Sequence, residues 1–293
     1  MTPTNSISKP NPPSARFGAL SRAIGGRGLF FVILFSMAAL YVGPFLFSIS
    51  ISFNAKKDVF EWPIELIPSQ TTLENYASVW RDLPFSTWLL NSFIVTIVQT
   101  IANVFFSALA GFAFARLYFP GKNVIFAFLL STLMIPGIIL LVPKFIILNE
   151  LHLVNTYAGL ILPMLITIPN IFLMKQFFET IPRELEEAAL MDGCSYFRIF
   201  WQIFVPISKP ALAAVAIYTF QGSWNEFLWP VIATYSKDMY TLPVGMATLR
   251  DELQTNWPLL MAGTILVSLP TLMIFLVFQR YFVQGVGSSG GKE

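Results

Sequence analysis

The stretch Glu187-Ala188-Ala189-Leu190-Met191-Asp192-Gly193, continuing through Ile203 to Pro206, is charged and strongly patterned in a chain that is otherwise almost wholly apolar. Uncharged runs lie on both sides of it, each long enough to cross a bilayer as helix. Pro182 suits the first turn of a helix, where its missing N–H matters least. Glu184, Glu186 and Glu187 follow at the positive end of that helix's dipole, and Gly193 is placed as the residue just past its end. A second amphipathic stretch, 195–204, offers Tyr196, Phe197, Phe200, Trp201 and Phe204, and Pro206 and Pro210 mark the turn into the next apolar run. The pattern predicts a short acidic helix, a tight turn, an interfacial helix and a stiff connection to a membrane span at each end. Two readings fit: a docking surface for a soluble partner, with Ala188 and Ala189 allowing close approach, or a solvated amphipathic loop lying on the membrane. The charge favours docking, because an anionic membrane surface repels a helix whose acids are opposed only by Arg183.

The composition of the 293-residue chain agrees with the flanking runs. It is 55% hydrophobic and 12% charged, with a mean hydropathy of +0.67; an ordinary soluble domain carries about a quarter charged residues. This is the composition of an integral membrane protein. The net charge of +2 gives no argument for nucleic acid, and no basic cluster with interleaved aromatics occurs. A single cysteine, Cys194, excludes an internal disulfide and a cysteine metal site, and reads as a small apolar filler. The single histidine, His152, excludes a two-histidine metal site and reads as an interfacial loop residue.

Outward from the loop the chain divides readily. Residues 1–27, rich in Pro, Ser, Asn and Gly with basic residues and no acid, have the composition of a disordered basic tail. The first span is placed at 28–53, uncharged for longer than a cleavable signal core of about 7–15 residues. A polar segment, 54–86, has room for a short surface helix around 73–80 capped by Thr71 or Thr72. Residues 87–282 form a five-helix core: the second span at 87–115, the third at 123–143 with Pro136-Gly137 expected to kink or unwind it, the fourth at 155–177 with Pro163 and Pro169, the loop at 178–209, the fifth span at 210–233 and the sixth at 258–282. Residues 283–293 form a Gly/Ser tail. Strand-type alternation is absent, so the fold class is an all-α membrane protein of six transmembrane helices. With the N-terminus inside, twelve of the eighteen Lys and Arg residues fall on inner segments and six on outer ones, which puts both termini and the loop in the cytoplasm.

Glu226 is the acid that lies well inside a span, beside Gln221, Trp224 and Asn225, groups able to hydrogen-bond hydroxyls and stack on a sugar face. An intramembrane acid costs about 3 kcal/mol on insertion scales and so faces protein or water. A substrate path and an interhelical polar clasp both satisfy that. Asn91, Gln99 and Asn103 share one face of the second span, where helix packing ranks above sugar contact. No phosphate-binding Gly-x-x-x-x-Gly-Lys-Ser/Thr loop occurs; the tail Gly287-Ser288-Ser289-Gly290-Gly291-Lys292-Glu293 only evokes one, with Val286 and Glu293 in the deciding places. A stand-alone secondary transporter would need an ion-coupling relay beyond Glu226, and a membrane enzyme would need a nucleophile–base pair or metal cluster that the sequence lacks.

Glu187-Ala188-Ala189, Asp192-Gly193, Ile203 and Pro206 resemble the loop motif of membrane subunits of ATP-binding-cassette importers. Asn91-Ser92, Gly111-Phe112-Ala113-Phe114-Ala115-Arg116, Pro182 and Trp224-Asn225-Glu226-Phe227 narrow the resemblance to carbohydrate-uptake permeases of the maltose type, over about residues 29–286. Cys194 departs from the family's usual alanine, and the tail from 285 is looser than usual. The resemblance implies a type-I importer architecture in a bacterial or archaeal inner membrane. It implies a second permease subunit as a heterodimeric partner, two cytoplasmic ATP-binding subunits carrying ATP-Mg, and an extracytoplasmic sugar-binding protein; this chain would bind no cofactor. It further implies that Glu187, Ala188, Ala189, Asp192, Gly193, Ile203 and Pro206 couple to the ATPase, with Glu187 pairing a basic group and Gly193 making the turn. A permease of the same class for another solute, such as glycerol phosphate, is the alternative.

Overall fold

The computed structural model describes residues 13–56, 59, 65–250 and 255–289, with side chains from Phe30 to Val277. The described residues are helical throughout, joined by turns, with one isolated antiparallel bridge between Asn54 and Thr71. Three helices are long and apolar enough to cross a membrane by themselves: Phe30–Ser52 within α1 (Pro13–Ser52), α3 (Phe85–Arg116), and Trp257–Val277 within α14. Three bent pairs raise the number of candidate spans to six.

The chain winds around α3. Its buried face runs from Phe85 and Trp88 through Asn91, Gln99 and Asn103 to Gly111, Phe112 and Ala115. Before it, α2 (Glu74–Asp82) begins one residue later than the sequence predicts, with the Thr72 hydroxyl accepting from the Glu74 N–H at 3.0 Å. In the polar segment ahead of α2, the Lys56 ammonium 2.9 Å from Glu65 and the Ser69 N–H hold the Glu65 carboxyl down at about 2.

After α3 the chain turns at Gly121 into α4 (Lys122–Ser131), unwinds at Ile135-Pro136, and resumes as α5 (Leu141–Glu150). Pro136 supplies no N–H and forces Ile135 extended, with ψ 117°, so the expected kink is a 95° bend. The third helical segment therefore reaches Glu150 instead of ending near 143. The segment read as the fourth span comprises α6 (Tyr157–Ile161) and α7 (Ile168–Glu179), bent by 43° where Thr167 is extended ahead of Ile168-Pro169. The loop then carries α8 (Arg183–Met191), α9 (Tyr196–Ile199), a π-helical turn Phe200–Phe204 and α10 (Val205–Ile207). A 78° bend at Ser208 leads into α11 (Lys209–Trp224). α12 (Leu228–Ala233), α13 (Leu242–Ala247) and α14 (Trp257–Ser289) complete the chain.

Three readings of the sequence are corrected here. The run read as the fifth span, 210–233 with Glu226 interrupting it, is two helices separated at 225–227. The first stops at Trp224, because Pro230 cannot donate to the carbonyl four residues back, and the Glu226 carboxylate instead accepts the Trp229 N–H at 3.1 Å. The tail assigned to 1–27 is helical from Pro13, where Ala15, Arg16, Ala19, Leu20, Arg22 and Ala23 are good helix formers that outweigh the polar composition; residues 1–12 lie outside the described set. At the other end α14 continues to Ser289, past the expected tail boundary at 283.

The core forms three patches along α3. At one end Phe112 meets Phe178, Phe200 and Phe204, with ring centroids 4.9–6.1 Å apart. At the other, Trp88 and Phe85 join Val79, Phe220, Trp224 and Leu242. Val95, Leu160 and Trp229 anchor the third. Gly111 makes the first patch close: a Cβ built there would lie 2.7 Å from Met174 Cβ and 2.9 Å from the Lys175 nitrogen, so α3 and α7 approach through a residue without a side chain.

Candidate functional site

The loop α8–α10 assembles much as its pattern predicts. Pro182, at φ −56° and ψ 138°, stands just before the first helical residue instead of within the first turn, and Glu184 and Glu186 follow in that turn. At the other end Gly193 has φ +78°, its N–H donates to the Leu190 carbonyl at 3.0 Å, and the Cys194 N–H donates to Ala189 at 2.9 Å. Those two bonds are the Schellman closure, which answers carbonyls that the helix end would otherwise leave bare. The left-handed φ is what makes glycine necessary there.

The faces of α8 differ. Glu187, Ala188 and Asp192 are exposed, and Met191 is 88% exposed, whereas Ala189 is buried in the patch around Phe112. Ile203 is half-buried against that same patch and Pro206 is exposed. The five aromatic residues of the second stretch separate into two sets. Phe200 and Phe204 are sealed in the core, while Tyr196, Phe197 and Trp201 face outward. The π turn makes this separation possible: the Val205 N–H reaches the Phe200 carbonyl five residues back, which shifts the helix face by one residue.

The sequence reading missed how the loop is tied to the spans. Arg116, the last residue of α3, is buried, and its Nη1 lies 3.6 Å from Oε2 of Glu186. Nη2 donates to the carbonyls of Phe178 and Ile181, and Cζ sits 5.0 Å from the centroid of the Phe204 ring. The available signal was only a single cation closing a charge-free span.

The residues grouped as a substrate path are brought together only in part. Gln221 is half-buried, and its carbonyl accepts from the Asn225 side-chain amide at 2.9 Å on the exposed end of α11. Glu226 sits in the break between α11 and α12, capping α12, and lines a small cleft with Thr96, Gln99, Ser223 and Thr241. Trp224 departs from the expectation of an open ring face. Its indole is 1% exposed, stacks on Phe220 and donates Nε1 to the Val267 carbonyl at 3.0 Å, so it locks α11 to α14. Asn91 and Gln99 grip backbone, as packing residues should. Asn91 donates to the Asp238 and Tyr240 carbonyls and Gln99 to that of Leu160.

Comparison with known proteins places this geometry. Residues 103–288, which contain the loop, match the family described as binding-protein-dependent transport system inner membrane component. An arabinooligosaccharides transport system permease protein, AraQ, of Halalkalibacterium halodurans is 38% identical over 259 residues, covering 87% of this chain and 93% of the relative. The probable ABC transporter permease protein YurM of Bacillus subtilis is 38% identical over 264 residues, covering 89% and 87%. The sn-glycerol-3-phosphate transport system permease protein UgpE of Yersinia pestis is 34% identical over 256 residues, covering 83% and 91%. The fold also matches the crystal structure of a bacterial ABC transporter involved in the import of the acidic polysaccharide alginate, with a TM-score of 0.78 at 22% identity over 94% of this chain and 100% of that one. This chain belongs to the family of binding-protein-dependent transport system inner membrane components, the membrane permeases of ABC importers.

Proposed function

We propose that this chain is the membrane-spanning permease subunit of an ATP-driven, binding-protein-dependent sugar importer, and that it couples to a separate ATPase through α8 and the turn at Gly193. The observation that carries the reading is the two-sided α8: Glu187, Ala188 and Asp192 stand in solvent on a helix whose opposite side is fixed to the spans by Glu186 and Ala189. A solvated loop has no need of that anchoring. In this reading the chain has six spans, the loop and both termini are cytoplasmic, and the chain pairs with a second permease subunit, two ATP-binding subunits and an extracytoplasmic binding protein. The carbohydrate assignment follows relatives named for arabinooligosaccharides. The relatives named for sn-glycerol-3-phosphate keep a phosphorylated polyol as the second reading.

The test is retention of the ATPase by the purified membrane complex. Glu187→Arg places a cation against a basic partner groove and is expected to weaken retention by at least about tenfold, the scale of an interface hot spot. Equal retention of the ATPase by the variant and the wild type would refute the docking role of the loop. Uptake of arabinotriose against sn-glycerol 3-phosphate by the reconstituted complex separates the two solutes.

Gln221, Asn225 and Glu226 are the residues we assign to the path, held in place by Trp224. Glu226→Gln keeps the shape of the side chain and its acceptor oxygen for Trp229. It is therefore expected to change uptake several-fold while ATPase retention stays at the wild-type level. Uptake unaltered by Glu226→Gln and by Asn225→Ala would reduce these side chains to caps of α11 and α12.

A further inference from the structure

The Arg116 side chain is buried, and the structure answers its charge and its Nη2 donors while leaving Nε without a hydrogen-bond partner. Its side chain is 3% exposed, and a sealed guanidinium needs both its charge and its N–H groups answered. Glu186 on α8 answers the charge, with 11% of its own side chain exposed. The carbonyls of Phe178 and Ile181 answer Nη2 at the C-terminal end of α7, where carbonyls have no helical donor of their own. The Phe204 ring of the π turn lies beneath the guanidinium. Four separate pieces of the chain therefore converge on one cation: the end of α3, the end of α7, α8, and the turn that follows α9. Among the described residues this is the ion pair joining α8 to the spans.

We propose that Arg116 is a positioning residue that locks α8 to the ends of α3 and α7, so that a displacement of α8 by the ATPase moves both spans as one rigid body. The proposal rests on the reading of α8 as the ATPase-coupling helix. It assigns different work to adjacent acids. Glu187 faces outward to the ATPase, and Glu186 faces inward to the clamp. A buried pair suits the task because it cannot be relaxed by solvent, and removing one partner strands the other's charge. A planar fork of donors suits it because one group must reach a carboxylate and two carbonyls at once, which a lysine ammonium on a flexible stem does not do.

The experiment uses the full importer complex carrying spin labels at Glu184→Cys on α8 and Tyr118→Cys just beyond α3, in a Cys194→Ala background. Both labelled positions are exposed, and Tyr118 is 96% exposed. The label-to-label distance is read without nucleotide and after trapping with ATP and vanadate. In the otherwise unaltered clamp the distance is expected to stay constant between the two states. In Glu186→Gln it is expected to shift by more than about 2 Å, the scale of a helix slipping past its neighbour. Glu186→Gln is also expected to lower transport per ATP hydrolysed about tenfold, measured with the solute that the wild-type complex accumulates of arabinotriose and sn-glycerol 3-phosphate. Its retention of the ATPase should match that of the wild type. Arg116→Met combined with Glu186→Leu removes both charges at similar volume. A folded complex with the same shift confirms a positioning role, because a purely structural pair replaced by apolar groups leaves the distance fixed. A distance that changes equally with and without the clamp overturns the proposal. So does loss of the ATPase from Glu186→Gln, which would make Glu186 a docking residue. Full ATPase retention by Glu187→Arg strikes at the coupling-helix reading instead, and leaves the distance measurement to judge the clamp.

Discussion

Gly111→Leu is expected to unfold the solubilised chain at a temperature lower by about 6 °C or more, a loss of about 3 kcal/mol. At this position even the first added carbon would stand 2.7 Å from Met174 Cβ, 2.9 Å from the Lys175 nitrogen and 3.0 Å from the Met174 carbonyl carbon. Two of those three atoms are backbone, so no rotamer change relieves the clash and α7 itself must move. Moving α7 opens the patch in which Phe112, Phe178, Phe200 and Phe204 are packed ring against ring. Gly222 provides the control. An added Cβ there meets nothing within 4 Å, and Gly222→Ala should leave the midpoint unchanged or raise it, through better helix propensity. A midpoint for Gly111→Leu within a degree of wild type would show that α3 and α7 are not spaced by this approach.

Asn103→Leu is expected to cost a similar amount for a different reason. The Asn103 side chain is fully buried and makes five hydrogen bonds: Nδ2 to the Gln99 and Met164 carbonyls, and Oδ1 from the Thr167 N–H, the Thr167 hydroxyl and the Asn170 amide. These fill the gap where the bent helix pair breaks between Met164 and Ile168. Polar contacts inside a membrane average about 0.6 kcal/mol each, so five give about 3 kcal/mol. Thermal unfolding reads the loss. Amide hydrogen exchange locates it, because faster exchange should concentrate at 165–170 and leave α8 at the wild-type rate. Uniform exchange along the chain would mean that Asn103 does not hold the break.

Why some of this was legible in the sequence and some was not follows from where each signal resides. Apolar runs report spans because crossing a bilayer is a demand on composition, and α3 and α14 stand where those runs do. The end of α8 was legible because a left-handed residue calls for glycine, a local rule. Pro136 announced a break for a similar reason, although its angle did not follow, since the angle depends on what the two arms pack against. At 225–227 the sequence showed Asn225 and Glu226 interrupting an apolar run, but not that the helix ends there. That ending depends on Pro230 and on a carboxylate reaching forward to a backbone N–H. Trp224 looked like a binding residue because an indole can stack on a sugar; its 1% exposure is a tertiary fact with no trace in the chain order. The Arg116–Glu186 pair spans seventy residues of sequence, and no local rule connects its ends.

The first helix has a consequence of its own. None of its membrane-crossing window is buried within the chain, and its neighbour is α14, at the opposite end of the sequence. Near its far end Ser52 bonds the Tyr76 hydroxyl and its carbonyl accepts from Asn75, which fastens the end of α1 to α2, and the apolar length before that lies against α14. What the exposed side of such a segment must supply is length and oiliness. Apolar residues from an unrelated membrane helix, placed on that side ahead of Ser50 with the side against α14 kept, would meet that demand as well as the native ones do. In this architecture the first helix is a staff on which α14 leans.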